Sequence, residues 1–482
     1  MQPSTTVPPA AFPWYINRRF ATFWTGGILS GFGDSIFEWT LALWAATVLG
    51  PEGAWVVVAI LVASTGPSLI AGPLAGVLVD RWTSKVRVVI LAAVLSAILT
   101  LAAALILADT ARPLPVAMQI TLMLGVVVAA SVIAQFFQPA SGIIVRDLVP
   151  VAARERSASL YQVSRSATTL IAPALAAPLF AAFGIGWALV INGASFLVGV
   201  VFYRLATQNW SEPALSSEAL DTPSRLLTES IGTNPTKRRS SRWADISVLL
   251  RVLRDDLWAG IHFVRTSPTI LTLILALAAG LGGSGIWVAL DVFFFRETLN
   301  GSTAAYGLLG TAQGAGELIG AAVMVRVIDR LGPSRLLWLG LALIGVVMVG
   351  YGLIRSVSVA IAMCFVLGLG MPSINVVMGP MIMRVTPRDL LGRVWGTVNP
   401  IASGAILAGA AIGGSLYTLT GSQIVVGEIG RVDALRALII LGGISVLLAA
   451  LVVGLRLGRA DAREEQRRAA GVDREPVAIN EV

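Results

Sequence analysis

Asp34 and Glu38 stand four residues apart in Phe20–Leu49, a stretch otherwise suited to an apolar environment. On a helix that spacing puts both carboxylates on one face. Two carboxylates in a low dielectric repel when both are charged, so the pair favours holding a proton. A group that takes up a proton on one side of a barrier and releases it on the other needs that property. Glu317, with Gln313 one turn earlier, suits either the neutralisation of a cation or a second proton site. Arg165 can pair with a carboxylate inside a helix bundle, act as a gate contact, or reach for the polar surface along its own stem. Gln135, Phe136, Gln138, Asn375 and Asn399 are weaker candidates for a cavity wall, because such polar side chains often only join helices. Asp291, beside Arg296 and Glu297, suits a gate at the outer end of its segment. Trp39, Trp44 and Trp287 read as interface anchors. Gly310, Gly314, Gly316 and Gly320 read as points of close helix packing.

Much chemistry is excluded. One Cys (Cys364) and one His (His262) leave no disulfide framework, no multi-cysteine metal site and no His-based catalytic constellation. No Walker-type Gly-x-x-x-x-Gly-Lys loop is present, so ATP hydrolysis is not the expected energy source. The reading calls for no enzyme, no cofactor and no metal. A net charge of +8 would suit a nucleic-acid binder, but the basic residues lie mostly in short segments between apolar runs. No nucleic-acid partner is expected.

The elements that must hold these residues follow from composition. The 482 residues are 56% hydrophobic and 13% charged, with a mean hydropathy of +0.81. That is the composition of an integral membrane protein. Twelve apolar spans are expected: Phe20–Leu49, Ala54–Val79, Val86–Ala108, Val116–Val145, Ser157–Phe183, Ile185–Leu205, Ile270–Phe295, Ala304–Val325, Leu336–Ile354, Val357–Met383, Val394–Leu419 and Ala434–Leu455. In lipid each must be a helix, because every backbone polar group has to be satisfied internally. The fold class is therefore all-α, with twelve transmembrane helices in two pseudo-symmetric six-helix bundles. The bundles span 20–205 and 268–456, flanked by tails 1–19 and 457–482. Between them, 206–267 reads as a linker ending in an amphipathic surface helix over 245–265, with apolar residues at helical spacing from Ile246 to Val264. Met1–Pro13 lacks the pattern of a cleavable signal peptide. Arg and Lys concentrate in the even-numbered loops, which places both termini in the cytoplasm.

The halves also share motifs. Asp80-Arg81 follows the second span, and Asp329-Arg330-Leu331-Gly332 follows the second span of the later half. Pro150 to Arg156 repeats the spacing of Pro387 to Arg393. Duplicated six-helix units place a substrate site between them, near the midplane. In this reading Gly76 lets helices approach closely in the turn 76–87, while Asp80, Arg81, Arg87, Asp329 and Arg330 form a charge lock between halves.

On these residues the sequence resembles the major facilitator superfamily, and within it the bacterial macrolide-efflux and siderophore-exporter branch. Gly76 to Arg87 is similar to the family's signature between helices two and three. Gly33-Asp34, Gln138-Pro139-Ala140, Asp147-Leu148-Val149-Pro150 and Leu391-Gly392-Arg393-Val394 extend the likeness. Thr83 and Ser84 stand where the family commonly has Gly and Arg, and Val325 where the later copy would have Gly. Ala172-Pro173-Ala174-Leu175-Ala176-Ala177 stands where drug–proton antiporters carry Gly-Pro-x-x-Gly-Gly. The resemblance implies a monomeric bacterial inner-membrane carrier that exports hydrophobic or amphipathic compounds in exchange for protons. A lipid, lysophospholipid or siderophore exporter, and a non-transporting sensor that keeps the fold, are the alternatives.

Overall fold

A computed structural model describes residues 13, 15–49, 53–107, 114–210, 268–385, 391–420, 423–426 and 430–469. The first half contains α1 (Arg18–Leu49), α2 (Ala54–Arg81), α3 (Lys85–Leu107), α4 (Val116–Leu148), α5 (Arg154–Phe183) and α6 (Ile185–Thr207). The second contains α7 (Pro268–Phe293), α8 (Thr303–Leu331), α9 (Pro333–Leu353), α10 (Val357–Val385), α11 (Leu391–Thr420) and α12 (Ala434–Ala469). The predicted amphipathic helix over 245–265 lies outside the described residues.

Among the described residues, nine of these helices are long and apolar enough, by composition alone, to cross a membrane. The other three are α1, α2 and α8; α1 carries Asp34 and Glu38, and α8 carries Glu317. Proline is tolerated inside α4, α5 and α11, because neighbouring helices can satisfy the freed carbonyls. Only Gly184 separates α5 from α6, and its φ of 71° lies in the left-handed region that favours glycine.

The duplication is visible in the packing. In the first half α1 packs on α5 and α6, α2 on α4, and α3 on α4 and α6. Raising every label by six gives the second half: α7 on α11 and α12, α8 on α10, and α9 on α10 and α12. The main contacts between halves obey the same exchange, α2 with α11 and α5 with α8.

Parity puts the start of α1, the end of α12 and the α6–α7 connection at one end of the bundle, here called the terminal face. At that face the helices run past their apolar stretches. Asp80-Arg81 and Asp329-Arg330 occupy the last turns of α2 and α8 rather than loops. Their connectors are only Trp82–Ser84 and Gly332, the latter with φ 75°. Among the described residues, a Cβ built at Gly76 meets nothing within 4 Å. Lys85, which the sequence offered only as a loop charge, is buried and donates to Val79 O at 2.8 Å and Trp82 O at 2.5 Å. It thereby caps carbonyls at the C-terminus of α2, where a cation is favoured.

The all-helical expectation needs one amendment. At the opposite face a short antiparallel hairpin pairs Gln423–Val426 with Gly430–Asp433 between α11 and α12. Gln423-Ile424-Val425-Val426 has the β-branched content that suits a strand.

Candidate functional site

A cavity of about 280 Å³ lies between the halves. Its wall includes Glu38 and Trp39 from α1, Trp287 and Asp291 from α7, and Tyr306 and Gln313 from α8. The cavity therefore carries one carboxylate from each half.

On α1, Gly33 sets the geometry. A Cβ at Gly33 would lie 2.1 Å from Ser195 Oγ, so the α1 backbone packs directly against the Ser195 and Asn192 side chains of α6 here. This brings Asn192 of α6, 2% exposed, to Asp34, and the Asn192 amide donates to that carboxylate. Asn192 Oδ1 has no partner among the described residues. One turn on, Glu38 faces the open cavity and is solvent-accessible although protein surrounds it. Asp34 and Glu38 lie within Coulombic reach of each other, as their spacing predicts.

Arg165 of α5 acts electrostatically on both Glu38 of α1 and Glu317 of α8. Glu317 in turn accepts a hydrogen bond from Gln313 Nε2 at 3.3 Å. Arg165 is itself exposed, so its side chain lies within electrostatic reach of carboxylates on two other helices while the pairing and the surface readings both stand.

Asp291 lies near the end of α7, as expected, and is buried there. It is 5% exposed, and accepts from Tyr351 Oη at 2.8 Å and Tyr306 Oη at 3.2 Å. Desolvating a carboxylate requires such donors, and neither tyrosine was singled out from the sequence. Glu297 instead accepts from Tyr417 Oη at 2.5 Å. Trp39 and Trp287 are not interface anchors but walls of the cavity. Trp39 packs on Tyr306 with ring centroids 5.6 Å apart, and Trp287 on Tyr351 at 4.3 Å. Trp44 is buried in the core. Ordinary aromatic patterning in a membrane helix does not distinguish a lipid-facing ring from a cavity-facing one, which is why these were misplaced.

Other candidates fall elsewhere. Phe136 packs against the core of the first half, among residues such as Phe23, Val79 and Ile144. Gln135 donates to Ser131 O at 3.1 Å in its own helix, and its Oε1 faces Gly72 of α2. Gln138 is exposed. Asn375 and Asn399 lie in α10 and α11, and their side chains are outside the described set, as are those of Asp80, Arg81 and Asp329. Arg87 and Arg330 are exposed at the terminal face.

Close contacts between α5 and α8 lie towards the face opposite the termini. A Cβ at Gly307 would meet Pro173 O at 2.5 Å, at Gly310 the Trp39 ring at 2.6 Å, and at Gly314 Leu170 Cα at 2.7 Å. These three glycines share one face of α8, against α5. Gly316 and Gly320 serve another face, against Phe365 and Leu369 of α10. Gly414 of α11 meets Val58 of α2 in the matching interface.

Two duplicated six-helix bundles with a cavity between them define a membrane transporter. The chain belongs to the Major Facilitator Superfamily, whose family model matches residues 23–275 and 272–480. It is 23% identical over 358 residues to the uncharacterized MFS-type transporter YfiS of Bacillus subtilis (strain 168), covering 73% of this chain and 75% of that protein. Among solved structures it is similar to a bacterial homologue of the iron transporter ferroportin in the inward-facing state. That likeness has a TM-score of 0.62 and 16% identity, and covers 90% of this chain and 97% of that one. A peptide transporter POT in complex with sulfate gives a TM-score of 0.64 at 14% identity, covering 94% and 97%. At these identities the structural likeness carries the fold alone.

Proposed function

We propose that this protein is a secondary active exporter of hydrophobic or amphipathic compounds, driven by proton antiport through Asp34 and Glu38. The observation that carries the reading is the position of that pair: on one face of α1, with Glu38 in the wall of the cavity between halves and Arg165 within electrostatic reach of both Glu38 and Glu317 of the other half. A proton site and a substrate site that share one cavity can exclude each other's occupancy, which is the requirement for exchange. Charges held inside a membrane are costly, so their retention at one cavity supports function over packing. In this reading the terminal face is cytoplasmic, the membrane is a bacterial inner membrane, and the protein works as a monomer. The tight α5–α8 contacts then close the outer side. The macrolide-efflux and siderophore-exporter branch supplies the substrate range to test.

Reconstitution in liposomes tests the proposal. Internal pH is followed while macrolides, cationic dyes or lysophospholipids are added, with Asp34→Asn as control. Substrate-dependent proton movement that the variant loses is the expected result. Substrate movement with no proton movement would replace antiport by a flippase-type mechanism.

A further inference from the structure

A second cavity of about 220 Å³ lies inside the second half, between α7, α9, α10 and α12. It shares Ser284, Val288 and Met371 with the cavity between the halves, so the two chambers adjoin. Their characters differ. The inter-half chamber carries carboxylates and aromatic rings, whereas the inner one is lined by residues such as Leu341, Ile344, Met378 and Val446. Small-molecule sites run about 300–1,000 Å³, so neither chamber alone reaches that range and the two together do.

We infer that the joined chambers bind an amphipathic cation, its charged head between Glu38 and Asp291 and its apolar tail in the inner chamber. This deepens the exporter reading and rests on it. Each Asp291 oxygen accepts only one tyrosine hydroxyl, and an ionised carboxylate has about four acceptor sites, which leaves capacity towards the cavity. Trp39, Trp287 and Tyr306 line the same space, and an aromatic ring is the surface that recognises an alkylammonium head. Arg165 does not reverse the sign, because it is one cation beside three carboxylates, Glu38, Glu317 and Asp291. In the tail chamber Met371 and Met378 supply unbranched, polarizable side chains that fit variable apolar shapes. Gly280 lines it, and a Cβ there meets only ordinary van der Waals neighbours, Ala449 at 3.6 Å and Leu341 at 3.8 Å. A larger side chain at Gly280 can therefore enter the chamber without forcing the helices apart.

The test is equilibrium binding to the full chain in nanodiscs, read by tryptophan fluorescence against empty nanodiscs and with no ion gradient. The probes are dodecyltrimethylammonium, dodecyl sulfonate and tetramethylammonium. Dodecyltrimethylammonium is expected to bind, and roughly tenfold more weakly to Glu38→Gln or Asp291→Asn. Gly280→Leu is expected to weaken it by a similar factor while tetramethylammonium binding is unchanged, with Gly280→Ala close to wild type. Glu38 is solvent-accessible, so its variant gives the answer even if Asp291→Asn does not fold. Equal binding of the sulfonate, or no loss in Glu38→Gln, overturns the head assignment; no effect of Gly280→Leu overturns the tail assignment. Gradient-driven export of other compounds by a protein that does not bind the cation would overturn this inference alone. Cation binding with no gradient-driven movement of any compound would overturn the exporter reading instead.

Discussion

Gly310 of α8 and Pro173 of α5 meet so closely that a methyl on the glycine would lie 2.7 Å from Pro173 Cβ. The same methyl would lie 2.6 Å from the Trp39 ring. Closure of the cavity at this end therefore depends on the absence of a side chain at one position. Gly310→Val should cost the closed arrangement about 1–3 kcal/mol by overpacking, a shift of roughly five- to hundredfold between states. Transport should fall while the folded amount stays near normal. The check is counterflow in liposomes together with cysteine-labelling at Ala177→Cys, where labelling from the face opposite the termini should rise. Unchanged labelling would mean that this contact does not gate the cavity.

Asp34→Asn should abolish pH-gradient-driven movement but leave substrate exchange measurable, because the amide can still pair with Asn192 yet carries no proton across. Glu38→Gln should impair both, since Glu38 lines the cavity itself. Gradient-driven uptake and counterflow assays on the same liposomes separate the two outcomes. Equal loss in both assays for Asp34→Asn would make it a structural residue.

Tyr351→Phe removes one of two donors to the buried Asp291 carboxylate. Interhelical hydrogen bonds in membranes average about 0.6 kcal/mol, and hydrogen bonds to charged groups run higher, so a loss near 1 kcal/mol is expected. Tyr306→Phe with Tyr351→Phe should cost more than the two singles added, because the carboxylate is then left without either tyrosine donor. Thermal unfolding of the detergent-solubilised variants measures this. Strict additivity would show that Asp291 finds other donors.

Much of the architecture was legible in the sequence, for a physical reason. Lipid permits only internally satisfied backbones, so apolar runs and helices coincide, and the twelve boundaries fall within a few residues except where α8 and α12 run on past their apolar stretches. The Asp34–Glu38 face was legible as well, because i,i+4 spacing is a property of the helix alone. The partners of Asp291 were not. Tyr306 and Tyr351 lie on different helices, 15 and 60 residues away from it, and nothing in the sequence links them. Likewise Gly310 and Gly316 look alike in sequence but face α5 and α10 respectively, which only the packing decides.

Arg165 and Glu317 offer the sharpest test of the charge cluster. Arg165→Gln removes the cation that acts on both Glu38 and Glu317, and a carboxylate left without that partner inside a helix bundle is unfavourable. Transport by this variant should be lost. Glu317→Gln alone should be milder, because Arg165 still has Glu38. The double variant Arg165→Gln with Glu317→Gln should recover part of the loss, since one uncompensated carboxylate has been removed. A double-mutant cycle on transport rate and on thermal stability should then return a coupling energy of about 0.5–3 kcal/mol. A coupling indistinguishable from zero would mean that Arg165 serves Glu38 alone, and that the two halves are not joined by charge at this cavity.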